Sequence, residues 1–332
     1  MASSAPVRPV KISLITPAPK RSLSGNRATA VRWARHLADL GHRVQISEAF
    51  QDEDADLLIA VHAWRSAQSV RRFRDRYPDR PVIVGLAGTD IYRFQYSHPD
   101  ETLGTMELAD RLVCLHERVD RDIPAHFAGK LNVIFQSAPP LPRRLTPAKR
   151  SFEVCVIGHL REEKDSLRTA YAARLLPTDS RIHVTHLGRA HNEDWSKAAT
   201  AEMARNPRYR WSGEVPHWKV RRVMARARLM VLSSVMEGGA NVISEAVVAG
   251  MPVIASRISG SVGLLGEDYA GYYPPEDQAA LAELLLKAES DTEFFALLQR
   301  QCGARVDLFQ PEREREAWRE VLAGLARGGE FD

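Results

Sequence analysis

The sequence predicts an α/β fold with two domains, each built on a parallel β-sheet that helices cover on both faces. Short apolar runs alternate with helix-length segments along nearly the whole chain. One proline-rich stretch divides this series into two halves. The length agrees with two domains, because 332 residues are too many for one core and suit two cores of about 150 residues each.

The first half, residues 1–140, contains four strand-like runs, each separated from the next by a helix-length stretch. These runs are VKISLITP, DLLIAVHA, PVIVGLAG and RLVCLHE. A loop rich in Ser, Gly and Asn follows the first run, and helical periodicity follows over residues 27–40. This half is therefore predicted to be a Rossmann-like domain.

The stretch from Ala138 to Arg150, APPLPRRLTPAKR, holds four prolines and no apolar periodicity. It predicts a linker over residues 141–150. A second Rossmann-like domain is predicted over residues 151–310. Its strand-like runs are FEVCVIG, IHVTHLG, YRWSG, RLMVLSS and PVIAS, and its helices are expected near 167–176, across 220–227 and from Asn241. Ligands of open parallel sheets bind at the carboxyl ends of the strands, so the cleft between the domains is the expected site.

The last stretch, residues 311–332, is predicted to form a helix that crosses back to the first domain. Pro311 stands in its first turn, acidic residues come early and Gly328 comes late.

Composition excludes several classes of protein. The chain is 44% hydrophobic and 27% charged, as globular proteins are. Its three cysteines, Cys114, Cys155 and Cys302, are far apart, which argues against a disulfide framework or a zinc site and fits a reducing cytoplasm. No stretch approaches the roughly 20 apolar residues of a membrane-spanning helix, and the N-terminus lacks the apolar run of a signal peptide. A cytoplasmic protein without a membrane span is expected.

Charge is distributed unevenly between the two halves. Residues 1–150 carry 23 Lys and Arg against 16 Asp and Glu, whereas the rest carries 23 against 26. This indicates that the first domain handles an anion, although an Arg-rich helix face in RRFRDRYPDR accounts for part of the excess. No basic stripe with interleaved aromatic residues is present, so no nucleic-acid partner is expected.

The most informative segment is SSVMEGGANVISEAVVAGMPVIAS. It reads as a strand end, a loop with two glycines, a helix from Asn241 and a further strand. The unpaired amides at the start of that helix suit a phosphate. Glu237 and Glu245, on either side of the turn, can accept hydrogen bonds from sugar and ribose hydroxyls. Alone, two glutamates at this spacing are weak evidence, and Asn241 is also an ordinary helix cap.

This segment resembles the EX7E region of the retaining glycosyltransferases of family four, which have the GT-B fold. The resemblance extends over nearly the whole chain. It implies a catalytic role for Glu237 and a donor-binding role for the loop and helix that follow. The implied donor-binding residues are Gly238, Gly239, Ala240, Asn241, Val242 and Glu245.

At the start of the second domain, IGHLREEKD follows a strand end. Cations there can neutralise a diphosphate leaving group. The family has an arginine after the glycine and a lysine five residues later, so Lys164 matches, while His159 takes the arginine position and Arg161 is displaced by two. Lys164 and Arg161 are predicted to be catalytic and His159 donor-binding, the competing interpretation being a solvated helix start.

The acceptor is expected to contact the loops that follow the first-domain strands. The segment TPAPKRSLSGNRAT leads from the first strand into a helix that starts near Asn26. An anion can bind at such a helix start, or a plain helix cap can form there. In VGLAGTDIYR, which resembles the family's HGTD, Ala87 stands where histidine is usual. His62, at the end of the preceding strand, stands at a further position that resembles the family, or it is a histidine of the core. The predicted acceptor-binding residues are Lys20, Arg21, Gly25, Asn26, Arg27, Thr89 and Asp90.

A narrower resemblance points to the acceptor. ITPAP, SGNRATAVRWA, GHLREEKD, NPRYRWSGEVP, EGGANVISEA and GLLGEDYAGYYPPED together look like the selenosugar synthases of selenoneine biosynthesis. Those enzymes join the sugar of a UDP-sugar to selenium from selenophosphate. The resemblance therefore implies UDP-glucose or UDP-N-acetylglucosamine as donor and selenophosphate as acceptor. An anionic acceptor has less need of a base than an alcohol has, which fits Ala87.

Two alternative functions stay open. The chain could transfer sugar to a lipid or saccharide hydroxyl, with the helix over residues 27–40 and its Trp33 at a membrane surface. It could also bind a nucleotide-sugar without catalysis. DEDAD, at residues 52–56, has the spacing of a metal-binding DxD motif but is more simply an acidic turn before a buried strand. No metal or other cofactor is expected.

Overall fold

The computed structural model describes residues 9–22, 24–143, 145 and 150–326. The chain divides into two compact units. We call Met1–Gln136 with Pro311–Asp332 the N-terminal unit and Ser137–Gln310 the C-terminal unit. Each contains a sheet of six parallel strands flanked by helices, which confirms the predicted α/β fold.

The sheet of the N-terminal unit has the strand order β2-β1-β3-β4-β5-β6. The strands are β1 Lys11–Ile15, β2 Arg43–Ser47, β3 Leu57–Val61, β4 Val82–Gly85, β5 Arg111–Cys114 and β6 Leu131–Val133. The helices, numbered along the whole chain, are α1 Gly25–Asp39, α2 Ala63–Arg76, α3 Gln95–Ser97, α4 Pro99–Leu108 and α12 Pro311–Ala326. The four predicted strands are confirmed as β1, β3, β4 and β5. The other two were not predicted, because β2 is only partly buried and β6 has three residues.

Two apolar clusters occupy the N-terminal unit. One of them joins β1 and β3 to α1 and α12, where the rings of Trp33 and Trp318 meet edge to face with centroids 4.9 Å apart. Both tryptophans are buried. The C-terminal helix predicted over residues 311–332 begins at Pro311 as α12, and residues 327–332 of that prediction lie outside the described residues. The idea that Trp33 faces a membrane is wrong, because the apolar face of α1 is covered by α12.

The acidic turn before β3 is held by basic residues. Asp52 accepts a hydrogen bond from Arg72 Nε at 2.8 Å. Asp54 lies 2.7 Å from Lys11 Nζ and 2.9 Å from Arg80 Nη1. Asp52 and Asp54 of DEDAD are therefore used in surface ion pairs in front of a buried strand.

The sheet of the C-terminal unit has the order β12-β11-β10-β7-β8-β9. The strands are β7 Phe152–Ile157, β8 Ile182–Leu187, β9 Tyr209–Trp211, β10 Leu229–Leu232, β11 Val253–Ser256 and β12 Tyr272–Tyr273. The helices are α5 Arg168–Arg174, α6 Glu193–Arg205, α7 His217–Arg226, α8 Asn241–Val248, α9 Ser259–Leu265, α10 Gln278–Ser290 and α11 Thr292–Gly303. All five predicted strands are present, and α8 begins at the predicted residue. β12, with two residues, was not predicted.

The central strands of the C-terminal unit, β7, β10 and β11, consist mostly of buried apolar residues and end in polar loops. Because all strands run in one direction, the loops after β7 and β10 lie at the same edge of the sheet. This edge carries the donor-side residues predicted from the sequence. No helix in the part of the chain that the structure describes is long and apolar enough to cross a membrane.

Candidate active site

A lysine and a glutamate from two different loops meet at the carboxyl edge of the C-terminal sheet. Lys164 Nζ donates to Glu237 Oε1, and Ser234 Oγ donates to the same oxygen at 2.6 Å. The two charged side chains are 18% and 11% exposed, so solvent screens the pair far less than it screens a surface ion pair. The fold thus brings into direct contact the two residues that the sequence most strongly predicts to be catalytic.

Further hydrogen bonds fix the two loops to each other. Ser233 Oγ donates to the carbonyl oxygens of Lys164 and Asp165, both at 3.0 Å. The Val235 amide donates to the Glu163 carbonyl oxygen at 3.0 Å. The lysine and the glutamate are therefore held by their own backbones, so the pair is largely preorganised.

Gly260, at the start of α9, is packed against the backbone of Glu237. A Cβ atom at Gly260 would lie 2.2 Å from the Glu237 carbonyl oxygen and 2.9 Å from its Cβ atom. No side chain larger than hydrogen fits there unless the Glu237 loop moves. Sequence reasoning missed Gly260, for which the run of small residues SGSVG was the available signal.

Gly260→Ala is expected to lower kcat by about 10-fold to 100-fold, since displacing a catalytic group by about 1 Å has effects of that size. Steady-state kinetics with the parent's sugar donor measures this change. Gly303→Ala is the matched control, because a Cβ atom at Gly303 meets nothing within 4 Å. Equal kcat values for Gly260→Ala and the parent would contradict the positioning role.

The loop from Gly238 leads into the N-terminus of α8. Gly239 has φ of +140°, a conformation that side-chain-bearing residues avoid, and Ala240 caps the helix without a side-chain hydrogen bond. The first turn of α8, with Asn241 and Val242, contains no acidic residue. The positive end of the α8 dipole therefore presents backbone amides, and no carboxylate in the first turn of α8 offsets its positive charge. Both features suit the binding of an anion.

Glu245 lies on α8 opposite His217, the first residue of α7. His217 Nε2 is 3.9 Å from Glu245 Oε1, which is an ion-pair distance rather than a hydrogen bond. The Glu245 carboxylate raises the pKa of His217 above its ordinary value. Glu245 is partly exposed, with 21% of its side chain accessible. The carboxylate is therefore accessible from solvent.

His159 and Arg161 lie after β7, apart from the ion pair. Burial lowers the pKa of His159, whose Nδ1 accepts a hydrogen bond from the Arg189 amide at 3.1 Å. A neutral imidazole does not supply the fixed positive charge that arginine supplies in the family. Arg161 Nε is 3.8 Å from Glu163, and its side chain is 41% exposed. The structure therefore does not bring Arg161 to Glu237 as it brings Lys164.

In the N-terminal unit, the predicted acceptor residues surround the start of α1. Lys20 and Arg21 are exposed, and Gly25 and Asn26 form the first turn, which contains no acidic residue. Arg27 Nε is buried and has no hydrogen-bond partner among the described residues. A buried unpaired donor is costly, so a guanidinium in this position suits an anion.

Thr89 and Asp90 follow β4 and are joined by His62, which follows β3. Asp90 is 1% exposed and lies 2.7 Å from His62 Nδ1. Thr89 Oγ1 is 3.2 Å from His62 Nε2. Asp90 is thus an internal partner of His62, whereas Thr89 is partly exposed. The contact of His62 with both residues was not predicted from the sequence.

Several solved structures share this fold. HepE of Anabaena, solved with UDP-glucose, has a TM-score of 0.75 and 15% identity, with 95% of this chain and 100% of that chain covered. Sucrose-phosphate synthase of Thermosynechococcus elongatus has a TM-score of 0.74 and 15% identity over 96% and 99% of the two chains. A glycosyltransferase of Rickettsia africae has a TM-score of 0.73 and 13% identity over 97% and 100%.

At these identities the similarity establishes the GT-B fold. The family of group 1 glycosyl transferases, in turn, matches residues 139–304, which is half of the chain. That range contains the Lys164–Glu237 pair, the turn into α8 and Glu245. The chain belongs to the group 1 glycosyl transferases.

Proposed function

We propose that this glycosyltransferase moves a hexose or an N-acetylhexosamine from UDP-glucose or UDP-N-acetylglucosamine to a small anionic acceptor, selenophosphate, as the selenosugar synthases do. The observation that carries the donor side is the direct contact of Lys164 with Glu237 beside the start of α8. The acceptor side rests on the buried Nε atom of Arg27, which has no hydrogen-bond partner among the described residues, and on the sequence resemblance.

The donor argument follows from charge. The diphosphate of UDP gains negative charge as the bond to the sugar breaks, and a partly buried ammonium stabilises that charge most at the transition state. Lys164 supplies this charge from the protein itself, so the proposed reaction needs no metal. Glu237 and Glu245 accept hydrogen bonds, which suits the hydroxyl groups of a sugar and a ribose.

The acceptor argument follows from Arg27 and the basic residues before it. A selenophosphate carries at least two negative charges near neutral pH, and the exposed Lys20 and Arg21 attract such an anion. Arg27 donates in a fixed geometry that suits the oxygen atoms of a phosphoryl group. Burial of Trp33 removes one feature that would support a lipid acceptor.

The direct experiment is mass spectrometry of the products formed from each UDP-sugar with selenophosphate. We expect UDP together with a sugar that carries selenium. UDP without a selenium-bearing sugar would assign another acceptor, and no UDP at all would favour a protein that binds nucleotide-sugars without turnover.

Arg27→Ala is expected to raise KM for selenophosphate about 10-fold to 100-fold, since a hydrogen bond to a charged group contributes roughly 1.5–3 kcal/mol. KM for the UDP-sugar should stay within twofold of the parent value, roughly the scatter of such measurements. Arg71→Ala, which removes an exposed positive charge from the same unit, is the control. The same KM for selenophosphate in both variants would contradict the assignment of Arg27.

A further inference from the structure

A buried histidine on β8 contacts the first residue of the loop that carries Lys164. His186 is 1% exposed and lies between two polar partners within the C-terminal unit. Its Nε2 atom is 3.1 Å from the carbonyl oxygen of Gly158, and its Nδ1 atom is 2.9 Å from the Tyr209 hydroxyl. Gly158 directly follows β7, so the imidazole holds the backbone at the point where this strand passes into the loop.

The partners of His186 decide which ring nitrogen carries the hydrogen. A backbone carbonyl oxygen can only accept, so Nε2 carries the hydrogen and donates it to Gly158. Burial lowers the pKa of His186 to about 4, which leaves the ring neutral near pH 7. Nδ1 of this neutral ring is an acceptor, and the Tyr209 hydroxyl donates to it. Burial raises the pKa of Tyr209 above its ordinary value, so the hydroxyl keeps its hydrogen.

Gly188, just after β8, approaches the same backbone. Its φ is +152°, and a Cβ atom at this position would overlap the Gly158 carbonyl group and lie 2.9 Å from the His159 amide nitrogen. Glycine is therefore the residue that fits while the loop keeps its position. The Gly188 amide donates to the Gly213 carbonyl oxygen, and the Gly188 carbonyl oxygen accepts from Trp211 Nε1, both at 2.8 Å. The loop after β7 thus rests on a fixed support.

The side chain of Lys164 passes close to Gly158. A Cβ atom at Gly158 would lie 3.8 Å from Lys164 Cδ, which is an ordinary van der Waals distance. Ser166 ties the loop into a compact turn, because its Oγ atom accepts from the Arg161 amide at 3.0 Å and donates to the His159 carbonyl oxygen at 3.2 Å. A displacement of the Gly158 backbone would therefore move the lysine with it.

Packing alone does not account for an imidazole in this place. Burial of a polar ring costs free energy that burial of an apolar side chain of the same size does not cost. The two hydrogen bonds of His186 offset this cost, and the one to Gly158 adds a fixed distance and direction. Tyr209 keeps the donated hydrogen on Nε2, because it occupies Nδ1. The arrangement is thus suited to holding one carbonyl group in place.

We propose that His186 is a positioning residue for sugar transfer, which fixes the place of Lys164 by holding the Gly158 carbonyl group. His186 is buried and acts through the loop after β7. The proposal rests on the donor side of the proposed function, in which the Lys164 ammonium beside Glu237 stabilises the charge that UDP gains. It applies to any acceptor. Because such stabilisation requires an ammonium that is fixed in advance, loss of the support lowers kcat more than it raises KM.

His186→Met and His186→Gln form the matched pair that tests the hydrogen bond. Both replace the ring by an unbranched chain, but only glutamine can donate to the Gly158 carbonyl group. His186→Met is expected to lower kcat about 10-fold to 100-fold, the effect of moving a catalytic group by about 1 Å, with KM for the UDP-sugar within about threefold of the parent. His186→Gln should keep kcat within about threefold of the parent. Equal losses of kcat in the two variants, or parent values in both, would overturn the proposal.

A double-mutant cycle with Lys164→Gln separates positioning from a general structural effect. In the Lys164→Gln enzyme, His186→Met should lower kcat by less than about threefold, because the charge that His186 positions is already gone. The same fall of kcat in both backgrounds would overturn the proposal. Gly188→Ala takes the place of His186→Met in this cycle if the methionine variant does not fold. His183→Met is the control and should keep the kcat of the parent, because His183 is an exposed residue of the same strand.

Affinity for UDP is a second measurement, and it needs no acceptor. UDP carries the charge that the leaving group acquires, so its Kd depends on where the Lys164 ammonium lies. Calorimetry should show that His186→Met raises this Kd about threefold to 10-fold in the parent and leaves it unchanged in Lys164→Gln. Absence of a selenosugar among the parent's products would overturn the proposed acceptor alone. Parent values of kcat and Kd in Lys164→Gln would overturn the donor side and this proposal with it, whereas independent effects of the two changes would overturn the positioning role alone.

Discussion

Lys164→Gln is expected to lower kcat about 10²-fold to 10³-fold, the effect of removing one preorganised donor from a developing negative charge. The ammonium lies at the carboxyl edge of the sheet, with 18% of its side chain exposed, and its backbone is tied to the loop of Glu237. Glutamine keeps the length of the side chain but not the charge. KM for the UDP-sugar should change much less than kcat, because the missing charge acts mainly at the transition state.

A double-mutant cycle with Glu237→Gln tests whether the two residues act as a pair. Each change alone leaves the other charge partly buried and without its partner. The combined loss should therefore be smaller than the product of the two single losses. Lys197→Gln is the control, since Lys197 makes an exposed ion pair with Glu193 on α6. Strictly multiplicative losses would contradict the coupling inferred from the structure.

The donor side was predictable from sequence because its chemistry is local. Two glycines, a helix start and a glutamate follow one another between Glu237 and Glu245, and the order of strand, loop and helix fixes how they face a ligand. Lys164 was predicted through the resemblance, because it stands where the family has its lysine in IGHLREEKD. Its contact with Glu237 follows from a parallel sheet in which β7 and β10 are neighbours.

The contacts that the sequence did not predict depend on packing between distant segments. Gly260 packs against Glu237 because α9 lies next to the loop after β10. No spacing between residues along the sequence predicts this contact. His62 and Asp90 are separated by a helix and a strand, and the pair forms because β3 and β4 are adjacent. Trp33 has the appearance of a membrane-facing residue in the sequence, yet a helix almost 300 residues later covers it.

Trp318, on that later helix, is expected to contribute strongly to the stability of the N-terminal unit. Trp318→Ala should lower the free energy of unfolding by about 3–5 kcal/mol, the usual range for a buried tryptophan. The indole is fully buried between α12 and α1, and its edge-to-face contact with Trp33 is lost with it. Glu314, buried on the same helix, pairs with Arg32 of α1 at 3.1 Å and adds to the contact between these two helices.

Thermal and urea unfolding followed by fluorescence measure this change, with an expected fall in Tm of about 10 °C for a unit of this size. Trp218→Ala is the matched control, because the Trp218 side chain on α7 is 64% exposed and its removal should change stability by less than about 0.5 kcal/mol. If both variants unfold at the parent's midpoint, α12 does not complete the core of the N-terminal unit. A large fall for Trp318→Ala alone would show that this unit needs residues from both ends of the chain.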